Sequence, residues 1–295
     1  MNPVLLLIIS LLAALGGNIV RKLYTHRESG MLSTFLCTAV VSVVSGGLLF
    51  LLGGFPVPSL FTVLLGILFG VILTLQLATN LVALELGPLA YTTVIISFST
   101  LITALSGTLF FGESLSPLKL FGIALMLVSF ALAAERGKDD TKHANLRWLL
   151  FCAAAFLLTG GIGLLQKIHQ SSPHREELNA FLIIAFAVSA LLSAPVALFL
   201  HRRQASENGK SASCRITPYP LFLMVVIGIC TGLNHKLNLY LSGIIDSAVF
   251  FPVVNGGGLI LSTLAALVLF RERLTVRQWA GVIIGTLSVI VLCLG

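Results

Sequence analysis

The chain is a series of ten long apolar runs separated by short polar segments. The runs cover residues 3–20, 31–53, 58–84, 87–110, 116–134, 147–166, 179–200, 218–242, 247–270 and 275–294. At about 1.5 Å of rise per residue, each run is long enough as a helix to cross a hydrocarbon core roughly 30 Å thick. The pattern therefore predicts an all-α membrane protein with ten transmembrane helices, which are called spans 1 to 10 below.

The composition supports this class and excludes several others. Hydrophobic residues make up 57% of the chain and charged residues 10%, whereas about 25% of an ordinary soluble domain is charged. These values exclude a soluble enzyme, a disordered chain and a disulfide scaffold. No metal-binding cysteine or histidine pattern and no nucleotide-binding or hydrolase motif is present in the sequence. We therefore expect no metal, no cofactor and no enzymatic activity.

The basic residues predict the orientation of the spans. Fourteen of the 18 Lys and Arg residues fall in the loops after spans 1, 5, 7 and 9, while Lys119, Lys167 and Arg175 fall on the opposite side. Because base-rich loops stay in the cytoplasm, both termini are predicted to lie outside the plasma (inner) membrane. The net charge of +7 is then explained by bases in cytoplasmic loops, which can contact anionic lipids. No nucleic-acid partner is expected.

Two segments of the chain repeat each other. Phe111-Gly-Glu-Ser-Leu-Ser-Pro-Leu-Lys-Leu-Phe-Gly122 joins spans 4 and 5, and Phe270-Arg-Glu-Arg-Leu-Thr-Val-Arg-Gln-Trp-Ala-Gly281 joins spans 9 and 10, at a spacing of 159 residues. A second match between the halves, at a spacing of 145 residues, pairs Gly16 with Gly161 and Lys22 with Lys167. Each half contains five spans, an odd number, so the halves must have opposite orientations. The sequence predicts two inverted-topology repeats, residues 1–140 and 141–295.

Glu113 and Glu272 occupy the repeated turns near the membrane surface. We expect these acids to fix the turns by pairing with a nearby base, Lys119 or Arg277, rather than to bind a solute. Other features of the repeat are the expected N-caps Ser116 and Thr275 and the glycines Gly122 and Gly281, which permit close helix packing.

This arrangement resembles the drug/metabolite transporter superfamily, in particular its ten-helix EamA-type members. The resemblance covers nearly the whole chain and is carried mainly by Leu109-Phe-Phe-Gly-Glu113 through Gly122 and by Val268-Leu-Phe-Arg-Glu272 through Gly281. It implies a secondary transporter that does not hydrolyse ATP, with a central cavity lined by spans 1, 3, 4, 6, 8 and 9. Ten-helix relatives usually have both ends in the cytoplasm, whereas the base count here predicts the reverse.

Polar residues inside the spans are the candidate binding groups, because burying them without partners is unfavourable. They are densest in span 8, where Asn234, His235 and Asn238 share one helical stripe with Thr231. Lys236 lies on a different face, so it either enters the site, extends to the membrane surface or pairs with another group. The predicted substrate-binding residues are Gln76, Asn80, Tyr91, Ser97, Asn234, His235, Lys236, Asn238 and Asn255. An alternative is that these polar residues hold neighbouring helices together.

Span 9 contains Pro252 and the consecutive glycines 256–258. This composition predicts a weak, bendable segment beside Asn255, and an interrupted helix at this depth is typical of transporter binding sites. The alternative is that the glycines permit close packing against a neighbouring helix. The equivalent residues in span 4, at the spacing of 159, are 96–99.

These features predict a secondary transporter of a small metabolite, such as an organic acid, an amino acid or a similar anionic or zwitterionic solute, that works by alternating access. His235 and Lys236 are candidate groups for ion coupling. One rival is an exporter of cationic compounds on the same scaffold, with Tyr91, Phe98 and Phe250 as cation–π contacts. Another is a lipid flippase whose cavity opens to the bilayer. The expected partners are the solute and membrane lipids, and the sequence leaves a monomer and a homodimer both open.

Overall fold

The computed structural model describes residues 2–28, 30–87, 89–133, 145–207, 218–269 and 274–295. This part of the chain is helical and contains no β-strand. Its helices are α1 (Pro3–Arg27), α2 (Met31–Gly53), α3 (Leu60–Leu86), α4 (Leu89–Ser97), α5 (Thr100–Phe111), α6 (Pro117–Ala133), α7 (Leu146–Gln170), α8 (Leu178–Glu207), α9 (Pro218–Ser242), α10 (Ser247–Leu269) and α11 (Val276–Leu294), with a 3₁₀ turn at Arg175–Glu177. The predicted repeat boundary at 140/141 and Glu272 lie outside the described residues.

Most of these helices are long and apolar enough to cross a membrane. Among the described residues, nine helical stretches meet that requirement, with α4 and α5 taken together as Tyr91–Phe111. Helix α6 is also apolar but is described over only 17 residues. The chain is therefore an all-α, multi-pass membrane protein, as the apolar runs predict.

Helix α1 is longer than predicted. The first apolar run ends at residue 20, but the helix continues to Arg27. A helix propagates through polar residues once its first turns have formed, since each further residue adds one backbone hydrogen bond. Arg21 and Lys22, which the base count placed in a loop, are thus helical residues.

The prediction of one continuous helix over 87–110 is wrong, because a turn at Phe98 and Ser99 separates α4 from α5. Around this turn the amides of Ser99, Leu101 and Ile102 donate to carbonyls three residues earlier, at 2.9–3.0 Å. This is the tighter 3₁₀ pattern, whose hydrogen bonds are poorer than those of an α-helix. The interruption falls within residues 96–99, the segment that corresponds by the repeat spacing to the glycines of span 9.

The predicted weak segment of span 9 is instead part of a continuous helix. Helix α10 runs through Pro252 and all three glycines. Gly256 serves packing, because a Cβ there would collide with the Sδ atom of Met126 in α6, whereas a Cβ on Gly258 would meet no atom of the described chain within 4 Å. Gly256 therefore permits close contact between α10 and a neighbouring helix, and α10 is continuous where its own composition predicts a weak segment.

The chain divides into two compact units. The first unit contains Met1–Leu11, Leu75–Arg175 and Leu239–Gly295, and the second contains Leu12–Thr74 and Glu176–Asn238. Each unit combines segments from both predicted repeats.

In the first unit, α6 and α11 make a reciprocal contact. The Ser129 hydroxyl donates to the carbonyl of Gly281, and the Ser288 hydroxyl donates to the carbonyl of Gly122, both at 2.7 Å. The two serines are 159 residues apart, as are the two glycines. The earlier residue of α6, Gly122, contacts the later residue of α11, Ser288, and the reverse holds for Ser129 and Gly281. The two helices therefore run antiparallel.

The glycines of this contact leave no room for a side chain. A Cβ on Gly122 would lie 2.7 Å from the Cγ atom of Leu292, and a Cβ on Gly281 would lie 2.7 Å from the backbone nitrogen of Ala133. The backbones of α6 and α11 can thus approach closely enough for the serine hydroxyls to reach carbonyls across the interface.

In the second unit, α2 packs against α8 with the same antiparallel sense. A Cβ on Gly46 would lie 3.6 Å from the Cβ of Phe186, and the Ser42 hydroxyl donates to the hydroxyl of Ser189 at 3.3 Å. The Ser45 hydroxyl donates to the carbonyl of Gly228 in α9 at 2.8 Å. Small residues and hydroxyls therefore join α2 to both α8 and α9.

The start of α3 in the second unit is fixed by an acid from the 3₁₀ turn. One carboxylate oxygen of Glu177 accepts both the backbone N–H and the hydroxyl of Ser59, each at 2.8 Å. A negative charge at a helix N-terminus is favourable because it satisfies unpaired N–H groups and complements the helix dipole. This contact ties the loop before α3 to the segment that enters α8.

We predict that Gly281→Ala destabilises the protein by about 1–3 kcal/mol, since the new Cβ would meet backbone atoms that cannot rotate away. Thermal unfolding in detergent measures the loss. The matched control is Gly258→Ala in α10, where no atom of the described chain lies within 4 Å of the added Cβ. That variant should be as stable as the unaltered protein. Equal stability of both variants would contradict the close α6–α11 contact.

Candidate functional site

A cavity of about 200 Å³ lies in the second unit between α1 and α9. Its polar lining residues are Asn18, Arg21, Thr231, Asn234 and His235. Its remaining lining residues are small: Ala13, Ala14, Gly17 and Cys230. The cavity is thus a polar space within an apolar helical protein, which makes it the candidate binding site.

Helical spacing explains why these residues share one cavity. In α1, residues 14, 17, 18 and 21 are three or four apart and occupy one face. In α9, residues 231, 234 and 235 do the same. The two faces meet closely at small residues, since a Cβ on Gly17 would lie 3.3 Å from the Cβ of Cys230. The contact at Gly17 therefore brings the polar residues of both helices around one space.

Arg21 supplies the positive charge of the cavity. Its side chain is exposed, and within the described part of the chain its guanidinium makes no hydrogen bond or ion pair. No Asp or Glu is among the residues that line the cavity. An anion that entered the cavity would therefore meet a cation whose fork of N–H donors is not already used.

His235 is held in place by two aromatic rings. Its imidazole meets the ring of Phe186 edge-on with 5.6 Å between centroids, and that of Phe69 with 6.3 Å. The Nδ1 atom is buried and has no hydrogen-bond partner among the described residues. A buried polar atom without a partner is unfavourable, so a ligand or water that reaches this nitrogen would gain a hydrogen bond.

The predicted stripe on span 8 is divided by the structure. Asn234 and His235 line the cavity together with Thr231. Asn238 lies one turn further along α9 and donates from Nδ2 to the Oδ1 atom of Asn234 at 3.2 Å, so it supports a lining residue. Lys236 is half-buried on α9 and does not line this cavity.

The other five predicted site residues belong to the first unit and do not line this cavity. Gln76 and Asn80 are half-buried, one turn apart on α3, and Tyr91 is exposed on α4. Ser97 is the last residue of α4, beside the turn that interrupts span 4. Asn255 donates from Nδ2 to the hydroxyl of Thr100 at 3.0 Å, which joins α10 to the first residue of α5.

The sequence prediction missed Arg21 as a site residue. The residue was assigned to a loop because the apolar run ends at residue 20. The signal that could have found it is the spacing of Ala14, Gly17, Asn18 and Arg21, which places small and polar residues on one helical face. Detecting that face requires the helix to be continued past the end of the apolar run.

Glu113 does not pair with Lys119 or Arg277 as predicted. Its carboxylate forms an ion pair with Lys167 of α7, and it accepts the N–H of Ser247 at the start of α10 at 2.6 Å. The Lys167 ammonium also donates to the carbonyl of Ser242 at 2.9 Å. The acid of the repeated motif therefore ties together the ends of α5, α7, α9 and α10 within the first unit.

Lys119 has a different acidic partner. Its ammonium donates to the Oδ2 atom of Asp246 at 2.8 Å and to the carbonyl of Ser114 at 3.2 Å. The guanidinium of Arg277 donates to the carbonyl of Ala131 near the end of α6. Lys119 thus binds groups other than Glu113, and the expected pairing of Arg277 with Glu272 lies outside the described residues.

We predict that Glu113→Gln lowers the free energy of unfolding by about 3–5 kcal/mol, because it leaves the Lys167 ammonium buried without a counter-charge. The side chains of Glu113 and Lys167 are only 10% and 8% exposed. Denaturant unfolding in detergent measures this loss.

The matched control is Asp246→Asn, which removes an acid whose side chain is 49% exposed. Asp246→Asn also leaves a buried ammonium, since the Lys119 side chain is 7% exposed. It should still lower stability less than Glu113→Gln, because an ion pair with a half-exposed carboxylate is screened by water and contributes less. A larger loss in the Asp246 variant would show that the Glu113 pair is not the stronger constraint.

Comparisons with known proteins show the fold and no activity. No protein-family model matches the chain, and no curated protein matches it. One protein of known crystal structure is similar over 99% of this chain and 96% of its own, with a TM-score of 0.76 and 16% sequence identity. At that identity, the likeness shows a shared helical architecture alone.

Proposed function

We propose that the chain is a secondary active transporter of the drug/metabolite transporter superfamily, of the ten-span EamA type, that moves a small metabolite by alternating access. The observation that carries this proposal is the polar cavity between α1 and α9. These helices belong to opposite predicted repeats, and a binding site between repeats is what an alternating-access mechanism requires.

The helix contacts support the proposed inverted repeats. Helices α6 and α11 exchange serine-to-glycine hydrogen bonds across positions 159 residues apart. Helices α2 and α8, the second helices of the two proposed halves, also run antiparallel through the Ser42–Ser189 contact. Antiparallel contact between equivalent helices is expected where an axis in the membrane plane relates the two halves.

The interruption of span 4 supports a conformational change. The turn at Phe98 and Ser99 replaces α-helical hydrogen bonds with weaker 3₁₀ ones, and such a segment within a span often marks a hinge. The Asn255–Thr100 hydrogen bond connects α10 to this turn. A proposed hinge in span 4 would therefore be linked to the equivalent helix of the other half.

The proposed solute is an organic acid, an amino acid or a similar anionic or zwitterionic metabolite. The cavity has one cationic lining residue, Arg21, and no acidic one, which disfavours export of cationic compounds. The proposed location is the plasma membrane with both termini outside, as the base count predicts. Transport proceeds in this proposal without ATP hydrolysis or any other enzymatic step.

A disulfide between α1 and α9 tests the mechanism. In Gly17→Cys the new Cβ would lie 3.3 Å from the Cβ of Cys230, close to the usual Cβ separation of a disulfide, about 3.5–4.5 Å. We predict that oxidation lowers solute flux in proteoliposomes at least tenfold, because the two helices must separate during the transport cycle. Dithiothreitol should restore the flux. The solute is chosen first, by testing which of lactate, glutamate, alanine, succinate and tetraethylammonium stabilises the purified protein. Its flux is then measured.

The control is Gly17→Cys combined with Cys230→Ser, which cannot form this cross-link and should be insensitive to oxidation. Labelling of free thiols followed by mass spectrometry reports whether the disulfide has formed on oxidation. Complete cross-linking with undiminished flux would rule out relative movement of α1 and α9.

One substitution tests the cavity-lining amide. We expect Asn234→Ala to reduce the affinity for the transported solute about tenfold, as loss of a hydrogen bond to a charged group would. Binding is measured by calorimetry and flux in proteoliposomes. Unchanged binding and flux in Asn234→Ala, for every transported solute, would remove this residue from the site.

A further inference from the structure

We propose that the cavity between α1 and α9 binds the carboxylate of a small monocarboxylic acid, with Arg21 as its counter-ion. This inference rests on the proposed transport function and narrows its solute class. It is carried by three properties of the cavity: one cationic lining residue that has no hydrogen-bond or ion-pair partner among the described residues, no acidic lining residue and a small volume.

The charge of the cavity selects an anion with one negative group. Arg21 is the one lining residue with a fixed charge, and its guanidinium has no carboxylate partner in the described part of the chain. A carboxylate placed there would form a bidentate, charge-assisted pair. A second carboxylate on the same solute would find no second cation, and removing it from water would be unfavourable.

The same argument disfavours amino acids. An amino acid would bring an ammonium group into a cavity in which no lining residue is acidic. Amides and hydroxyls can accept from an ammonium, but they do not offset its lost hydration as a carboxylate does. The proposed solute is therefore a net anion and not a zwitterion.

The uncharged lining residues suit a second polar group close to the carboxylate. Thr231 and His235 lie on α9, across the cavity from Arg21 on α1. The Nδ1 atom of His235 has no partner among the described residues and could donate or accept according to its tautomer. A hydroxy or keto group beside the carboxylate would match these side chains.

The volume favours a small solute. The space is about 200 Å³, whereas pockets for drug-sized ligands measure about 300–1,000 Å³. Ala13, Ala14 and Gly17 form the apolar part of the lining, which suits a methyl group or a short chain. Lactate and pyruvate have this size and chemistry and serve as the probes.

Binding of these probes to the purified full-length protein tests the proposal. Lactate and pyruvate should raise the melting temperature in lipid-free detergent and give saturable calorimetric binding. Succinate, alanine and tetraethylammonium should bind at least tenfold more weakly, and sodium chloride at equal ionic strength controls for salt. Equal or tighter binding of alanine or tetraethylammonium would overturn the assignment of a monocarboxylate.

Substitutions of Arg21 identify the counter-ion. Arg21→Gln should weaken lactate binding about 100-fold, and Arg21→Lys about tenfold, because Lys keeps the charge but loses the bidentate fork. The matched control is Arg27→Gln on the same helix, whose guanidinium stacks on the ring of Tyr219 at 4.4 Å. It should leave lactate affinity unchanged.

Three outcomes of this series overturn the proposal. The first is undiminished lactate binding in a folded Arg21→Gln or Arg21→Lys variant, with folding checked by gel filtration. The second is loss of binding in Arg27→Gln. The third is loss of binding in Lys236→Gln with Arg21→Gln unaffected, which would place the counter-ion on the other face of α9.

An anionic lipid headgroup could offer the same chemistry as a free solute anion. Nanodiscs of phosphatidylcholine, with and without phosphatidylglycerol, distinguish these sources. Lactate should bind in both, with little competition from phosphatidylglycerol. Stabilisation by phosphatidylglycerol that requires Arg21, without lactate binding, would show that the cavity serves a lipid.

Flux measurements separate this inference from the proposed function. If proteoliposomes transport alanine or tetraethylammonium but not lactate or pyruvate, the monocarboxylate assignment is wrong and the proposed transport function is retained. If lactate binds in an Arg21-dependent manner but crosses the membrane no faster than in protein-free vesicles, the site stands and transport is wrong.

Discussion

The hydrocarbon core of the membrane offers no water to a polar group, and this constraint decides where the polar residues of the chain can lie. Serine hydroxyls meet it by donating to backbone carbonyls across close helix contacts, as Ser129 and Ser288 do between α6 and α11. Lys167 meets it through Glu113 and the carbonyl of Ser242. A polar group that the protein leaves without a partner is therefore a strong indication of a ligand.

Hydropathy alone predicts the class of the fold and the approximate position of the helices, because each span must satisfy its backbone internally. It does not predict how a span is interrupted. The segment around Phe98 has no Pro or Gly and reads as ordinary helix, yet its hydrogen bonds tighten into a turn. Helix α10 has both residues and is continuous, and its Gly256 packs against Met126 of α6. These outcomes depend on tertiary contacts that no local pattern contains.

The candidate site was predictable only in part for the same reason. Asn234 and His235 share a stripe that helical periodicity identifies, and both line the cavity. Arg21, Lys119 and Lys167 are all bases near the ends of apolar runs. A count of Lys and Arg residues in loops therefore cannot distinguish their roles. Their roles differ because Lys119 binds Asp246 and Lys167 binds Glu113, whereas Arg21 faces a cavity without an acid. A base acquires its role from its partner, which only the fold supplies.

The separation of paired from unpaired charge is what a transport site requires. A cation with a fixed carboxylate partner, such as Lys167, holds helices together but gains little from a solute, since an incoming anion would have to displace that partner. An unpaired cation at an exposed position keeps its hydration until a solute arrives, so binding an anion exchanges water for a charge-assisted hydrogen bond of modest net strength. Modest strength also permits release. The two kinds of charge therefore suit two tasks: Glu113 and Lys167 hold the helices of the first unit together, whereas in the proposed transporter Arg21 would bind and release the anion.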